Sequence, residues 1–250
     1  MNNQLTEPVF WKNFWEAKQN LVFKIKPDYT FHQLIGPLIK QQSIKSAIEL
    51  GGFPGYYSVF LRKYFGIDVT LFDYYIHPQI IKNLLFFNDL TPSDIAIIEA
   101  DLFTYKPQKT YDMVCSFGLI EHFSDTEDII AKHLNYLSPG GTLLITLPNF
   151  KGINGWIQKT FDRYNYDKHF ISCMDLDILS TTAQKLGLQN VQTFYNGGFS
   201  TWIENKEHKP IFIRVVVKFI WILGKIVSKI IRSESKLMSP YIVLIAKKIG

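Results

Sequence analysis

Short apolar runs alternate along the chain with stretches whose apolar residues recur at helical spacing, and that alternation leaves very few architectures open. Residues 46–50, 68–73, 95–98, 113–116 and 143–147 are compact apolar runs of strand length. Between them, residues 56–65 place Phe60, Leu61, Tyr64 and Phe65 on one helical face, and residues 78–87 do the same with Ile80, Ile81, Leu84 and Leu85. A third helix-like stretch covers 126–137, and 175–186 reads as a helix stopped by Gly187, with further strands at 191–195 and 241–246. Strands that are apolar on both faces must be covered by helices on both faces, so the pattern predicts an α/β fold built on a doubly wound, mostly parallel sheet. Upstream, 10–18 and 30–41 read as helices, the second expected to be N-capped by Thr30 or Asp28.

With 250 residues, 47% of them hydrophobic, the chain is long enough to form one core without disulfide or metal. A single domain over 1–250 is expected. Cys115 and Cys173 form no CxxC motif and read as reduced thiols, and residues 1–10 lack the basic start and apolar run of an export signal, so a cytoplasmic location is expected. Charge is uneven. Residues 206–250 carry ten Lys and Arg against two acids, which leaves the rest of a +5 chain mildly acidic. That distribution argues against a nucleic-acid coat and for a local electrostatic role near the end.

In such sheets, ligands sit at the carboxyl ends of the strands. The first strand runs into Glu49-Leu50-Gly51-Gly52-Phe53-Pro54-Gly55, a glycine-rich turn feeding a helix. A dinucleotide fingerprint would need glycine at 53 and 56, where the chain has Phe53 and Tyr56, and no Gly-Lys pair of a P-loop is present. Glu49 would repel a pyrophosphate but pair with a cation. Asp73 ends the second strand, where an acid can accept from both ribose hydroxyls, and Asp101 follows the third, within reach of an adenine amino group. Either aspartate alone could simply cap a turn. Three acids at three successive strand ends point to a nucleoside-like ligand without a polyphosphate.

These residues give the chain its resemblance to the class I S-adenosylmethionine-dependent methyltransferases. It rests on AIELGGFPG, VTLFD, IEADLF, YDMVCSFGLIEHF and LSPGGTLLITLPN, in matching order and spacing over most of the chain. The resemblance implies a Rossmann-like sheet of seven strands with the last antiparallel, and S-adenosylmethionine as cofactor. It implies that Glu49, Gly51, Gly52 and Gly55 hold the methionine part, Asp73 the ribose, and Asp101 with Leu102 the adenine, while Phe117 and Gly118 line the cofactor. The upstream helices read as an appendage or a lid over 1–45, followed by a cofactor-binding half over 46–148 and a substrate half over 149–250. Phe53 stands where the family has glycine, so its ring must turn away from the cofactor or close over it.

Methyl transfer from a sulfonium is an in-line displacement in which positioning does much of the work, and a hydroxyl acceptor also needs a base. Histidine is the natural choice. His122 follows the fourth strand in IEHF, and His169 lies in YNYDKHF beyond the fifth; each also has a structural reading as a loop hydrogen-bonder. Asn149 could orient an acceptor hydroxyl or make a turn with Pro148. No two His, Asp, Glu or Cys residues show a recognised ligand spacing, so no metal is expected. Arg214, Lys218, Lys225, Lys229 and Arg232 fall on a stripe about 60° wide of an otherwise apolar helix over 211–232. That helix could pack on its own domain, lie on the inner face of a membrane or form a homodimer contact; its cations make a spanning helix costly. A lipid-linked or other glycan acceptor in polysaccharide biosynthesis, methylated on a sugar hydroxyl, is the leading expectation. A small aromatic or isoprenoid quinone-type substrate, or a non-catalytic binding domain, are the alternatives.

Overall fold

The computed structural model describes residues 5–231 and 234–250. Helices α1 (Pro8–Ala17) and α2 (His32–Gln42) precede β1 (Ser46–Leu50), followed by α3 (Tyr56–Phe65), β2 (Asp68–Asp73), α4 (Pro78–Phe87) and β3 (Ile95–Glu99). Then come β4 (Tyr111–Phe117), α5 (Thr126–Leu134), β5 (Leu137–Pro148), α6 (Ile153–Phe161), α7 (Arg163–Tyr166), α8 (Leu176–Lys185), β6 (Gln189–Asn196), α9 (Ile211–Ile231) and β7 (Tyr241–Lys247). The described strands form a seven-stranded sheet in the order β3-β2-β1-β4-β5-β7-β6. Neighbours from β3 to β5 pair in parallel, and β7 runs antiparallel to both β5 and β6. The expected α/β sheet is therefore present, with its antiparallel last strand.

Period-two alternation sends neighbouring residues of each strand to opposite faces; both faces of the central strands are buried, while the edge strands β3 and β6 stay largely open. Ala47, Val69, Leu71, Met113, Cys115 and Leu144 pack with α2, α3 and α4 on one side. Ile48, Phe72, Val114, Leu143 and Ile145 pack with α5 and α8 on the other. This is why the strands read as unbroken apolar runs. His133 on α5 is fully buried, its Nδ1 bonded to the Ile129 carbonyl at 2.7 Å and its Nε2 to Ser116 Oγ at 2.9 Å.

Three details differ from the sequence reading. Neither Thr30 nor Asp28 caps α2: Phe31 occupies the cap position at φ 65° without a side-chain cap bond. Burial of its ring against Tyr57, Phe117 and Tyr241 fixes the helix start instead. The helix expected to reach residue 137 ends at Leu134, because Leu137 already pairs with Tyr111 at the start of β5. The aromatic segment after β5 folds into α6 and α7, which the periodicity did not reveal. Gly155 makes that possible, since a Cβ there would lie 1.8 Å from the Phe150 carbonyl oxygen.

Helix α9 touches the body through Val217, which packs with Ile157 and Ile203, and through Gly224, where a Cβ would meet the Phe199 ring at 2.1 Å. Its outer face is bare: Ile211, Phe212 and Ile230 are 76%, 70% and 77% exposed. Arg232, the last cation of the expected stripe, lies outside the described residues. No helix among the described residues is long and apolar enough to cross a membrane.

Candidate active site

The carboxyl ends of β1, β2 and β4 meet at the glycine-rich turn. Gly51 sits at φ +63° with its N–H on the Phe72 carbonyl at 2.8 Å, a backbone conformation that favours glycine. The strand-end acids tie this turn down. Glu49, almost wholly buried, accepts from the Ser58 N–H at 2.7 Å and from its hydroxyl. Asp73 accepts from the Phe53 N–H at 2.9 Å and from the Tyr75 N–H at 3.2 Å, and Asp101 from the Phe103 N–H at 2.8 Å. Removal from water pushes Glu49 up to about 8, against the opposing pull of its Ser58 bonds, and Asp73 up to about 6 against its backbone bonds.

A cavity of about 410 Å³ opens at this edge, within the range of small-molecule sites. It gathers Glu49, Gly51, Gly52, Asp73, Asp101, Leu102, Phe117 and Gly118 into one lining. Gly55 is the exception: it precedes α3 at φ +99° and stands behind the lining, beside Leu71 and Ile81. The Phe53 ring is buried against Trp15 at 5.4 Å and Tyr75 at 6.0 Å, so α1 accommodates the bulk that replaces a family glycine. Phe117 lines the cavity while stacking on Tyr57 with centroids 3.6 Å apart.

The opposite wall holds the two candidate histidines. His122 lies 4.8 Å from His169 and 4.7 Å from Trp11, ring centre to ring centre. Its Nδ1 bonds the Lys168 carbonyl at 3.1 Å, and His169 Nδ1 bonds the Asn165 carbonyl at 2.8 Å. A carbonyl only accepts, so each Nδ1 carries the proton and each Nε2 the lone pair. Burial lowers His122 to about 3 and also lowers His169. An imidazole that holds a proton so weakly is a poor general base at neutral pH, which counts against the role expected for His122. Between them stands Glu121, 1% exposed, whose Oε2 has no hydrogen-bond partner among the described residues. One ligating atom each from Glu121, His122 and His169 lie within 4.8 Å of one another. The sequence reading expected no metal ligands because Glu121 and His122 are adjacent and the third member arrives from a separate loop.

Asn149 is not free to orient an acceptor. Its amide donates to the Lys236 and Ser239 carbonyls at 2.8 Å each, and its oxygen accepts from the Lys151 N–H at 3.0 Å. Aromatic side chains complete the cavity: Phe10, Trp11, Phe14 and Trp15 come from the aromatic-rich amino-terminal helix, and Phe150, Trp202 and Tyr241, which no motif flagged, from the far wall. Lys18 at the end of α1 pairs with Glu204 across from it.

The buried Glu49 has a consequence for stability. Its pKa rises from about 4.5 to about 8 on folding, so the folded state holds the extra proton and stability falls as pH rises through that window. His133, lowered by burial to about 4, acts in the opposite sense and takes stability away as pH falls below its ordinary 6.5. Burial also pushes Glu121 up to about 8, in the same sense as Glu49. The ligand-free protein is therefore expected to melt at a higher temperature at pH 6.5 than at pH 8.5, and Glu49→Gln to reduce that difference while Glu121 sustains the rest. Equal slopes in the two proteins, measured by calorimetry, would contradict the assignment.

Residues 29–193 match the family described as methyltransferase domain. A curated relative, trans-aconitate 2-methyltransferase of Rhizobium leguminosarum bv. trifolii (strain WSM2304), is 26% identical over 139 residues, 55% of this chain and 52% of the relative. The match thus spans about half of that relative's length. Among solved structures, phosphoethanolamine N-methyltransferase 2 of Haemonchus contortus in complex with S-adenosyl-L-methionine superposes with a TM-score of 0.59 at 16% identity, covering 88% of this chain and 53% of its own. A SAM-dependent methyltransferase of Archaeoglobus fulgidus does so with a TM-score of 0.53 at 17% identity, covering 86% and 94%. At these identities the two structures establish a shared fold.

Proposed function

Because the chain belongs to the methyltransferase domain family, which it matches over residues 29–193, we propose that it transfers the methyl group of S-adenosylmethionine to a sugar hydroxyl of a lipid-linked or other glycan acceptor. The observation that carries the reading is the joining of the strand-end acids and the glycine turn to an aromatic second wall in one cavity. The residues fit the cofactor. Gly51 and Gly52 leave backbone open to it, Glu49 offers a carboxylate to its cationic amine, Asp73 keeps a lone pair for a ribose hydroxyl, and Asp101 with Leu102 bounds the adenine. Phe117 and Gly118 form the floor. When bound, the cofactor supplies an electrophilic methyl on a sulfonium. Everything else is done by the chain: α1 covers part of the cavity with Phe10, Trp11, Phe14 and Trp15, and Trp202, Phe150 and Tyr241 offer ring faces to a sugar.

The apolar face of α9 supports a lipid-linked acceptor. On a helical wheel, Ile213, Val217, Ile220 and Gly224 face the body, Arg214, Lys218, Lys225 and Lys229 form one flank, and Ile211, Val215, Phe219, Ile222 and Ile226 point outward. A bare apolar face edged on one side with cations, with Trp221 on the far side of those cations, matches an anionic bilayer surface, where each Lys or Arg contributes about 1 kcal/mol. The full chain is expected to sediment with vesicles containing anionic phospholipid, less so at high salt. Phe219→Glu with Ile226→Glu should abolish that. Retention by the double variant, or a salt-insensitive dimer seen by ultracentrifugation in place of vesicle binding, would refute the membrane contact.

The function itself is tested by calorimetric titration with S-adenosylhomocysteine, followed by methyl transfer from labelled cofactor to lipid-linked sugars, nucleotide sugars and phenols. Saturable binding with transfer to a sugar supports the proposal. Transfer to a phenol alone refutes the sugar acceptor, and failure of the cofactor product to bind refutes the enzyme reading.

A further inference from the structure

We propose that Glu121, His122 and His169 form a binding site for a divalent first-row cation whose remaining positions face the cavity and take the hydroxyl and an adjacent oxygen of the acceptor. Two imidazoles and one carboxylate are the donor set of open zinc-type sites, in which the protein leaves coordination positions for substrate.

Three independent observations converge on this cluster. One candidate ligand atom from each of the three side chains lies within 4.8 Å of those of the other two. With bonds of about 2.1 Å, donors around one cation stand roughly 3–3.5 Å apart, so side-chain movements of about 1 Å complete the site. Both histidines are held as ligands need to be: each Nδ1–H donates to a backbone carbonyl, of Lys168 and of Asn165, which fixes the tautomer and leaves Nε2 as the lone-pair donor. Glu121, 1% exposed, brings a carboxylate oxygen without a hydrogen-bond partner among the described residues into the same place. An orphaned buried carboxylate is costly, and a cation would satisfy it. All three side chains line the cavity that holds the strand-end acids.

The site deepens the proposed function, and its catalytic part rests on that reading. A cation there acts as a Lewis acid on the acceptor hydroxyl, whose proton leaves to solvent. The oxygen then forms the bond to the methyl carbon of S-adenosylmethionine, and the carbon–sulfur bond breaks with its electron pair remaining on sulfur. Two neighbouring oxygens on the acceptor suit such a site, which selects a vicinal diol of the kind that sugars carry.

The test uses tag-free full-length protein stripped with a chelator. Calorimetry with Zn²⁺ should show one equivalent bound with micromolar or tighter affinity, and Co²⁺ should produce visible absorption bands of a nitrogen- and oxygen-ligated ion. His169→Ala should weaken Zn²⁺ binding by at least about 100-fold and remove the bands. Glu121→Gln, which preserves shape, should weaken binding while raising or leaving unchanged the melting temperature of the metal-free protein. Absence of saturable one-to-one binding, or wild-type affinity in His169→Ala, overturns the site. Titration of the metal-free protein with S-adenosylhomocysteine separates the two readings: cofactor-product binding without Zn²⁺ binding sinks the cation site alone, and Zn²⁺ binding without it sinks the methyl-transfer reading alone.

Discussion

Asp73→Ala is expected to weaken binding of S-adenosylhomocysteine by at least about 100-fold and to abolish measurable methyl transfer. The carboxylate accepts from the Phe53 N–H through Oδ2, from the Tyr75 N–H through Oδ1 and from the Tyr74 N–H, which leaves at least one of its about four lone-pair sites for a ribose hydroxyl. A hydrogen bond to a charged group is worth about 1.5–3 kcal/mol, so its loss together with the loosened turn accounts for the expected factor. The same substitution frees the amide of Phe53, and with it the glycine-rich turn, so a lower melting temperature should accompany the loss. Asp73→Asn separates the effects, because it keeps the shape and one acceptor oxygen but turns an N–H₂ toward a donor. It should recover most of the stability and little of the affinity. Calorimetric binding by Asp73→Ala within about threefold of wild type would remove Asp73 from the cofactor site.

Gly155→Ala is expected to cost the fold about 3 kcal/mol, near the upper end for overpacking, because the new methyl would meet backbone that cannot rotate away. The Phe150 carbonyl oxygen, carbonyl carbon and Cα all lie within 2.6 Å of that position. For a chain of this size such a loss lowers the melting temperature by roughly 6–12 °C. Phe150 also lines the cavity and packs its ring on His169 at 4.8 Å. Acceptor KM should therefore rise more than cofactor affinity falls. A variant that melts with wild type would mean that α6 does not press on this backbone.

What could be read in advance divides along the sheet. The strands from β1 to β3 and helices α3 and α4 were legible almost to the residue, because β1 and β2 are buried on both faces and each helix has one apolar stripe; β4, read over 113–116, extends over Tyr111–Phe117. The cofactor side of the cavity was legible for a related reason, since its residues sit at strand ends whose position the strands determine. The far wall was not. Its members come from α1, from the loop around His169 and from Trp202, segments whose aromatic residues follow no period, and only the closed fold brings them opposite the strand ends. The histidines were found but their surroundings were not, since the tautomers depend on carbonyls of Asn165 in α7 and of Lys168 just beyond it. Phe53, a departure from family pattern in the sequence, is explained by Trp15, a partner on a helix well upstream.

Helix α1 places Trp15 on the Phe53 ring, Trp11 on His122 and Lys18 against Glu204, thereby touching both walls of the cavity at once. A single helix thus braces both sides of the cavity, and a change at any of its three contacts is felt on the other two. Two of the chain's five tryptophans stand at those contacts, so a ligand that settles between the walls is expected to report itself in the protein's own fluorescence.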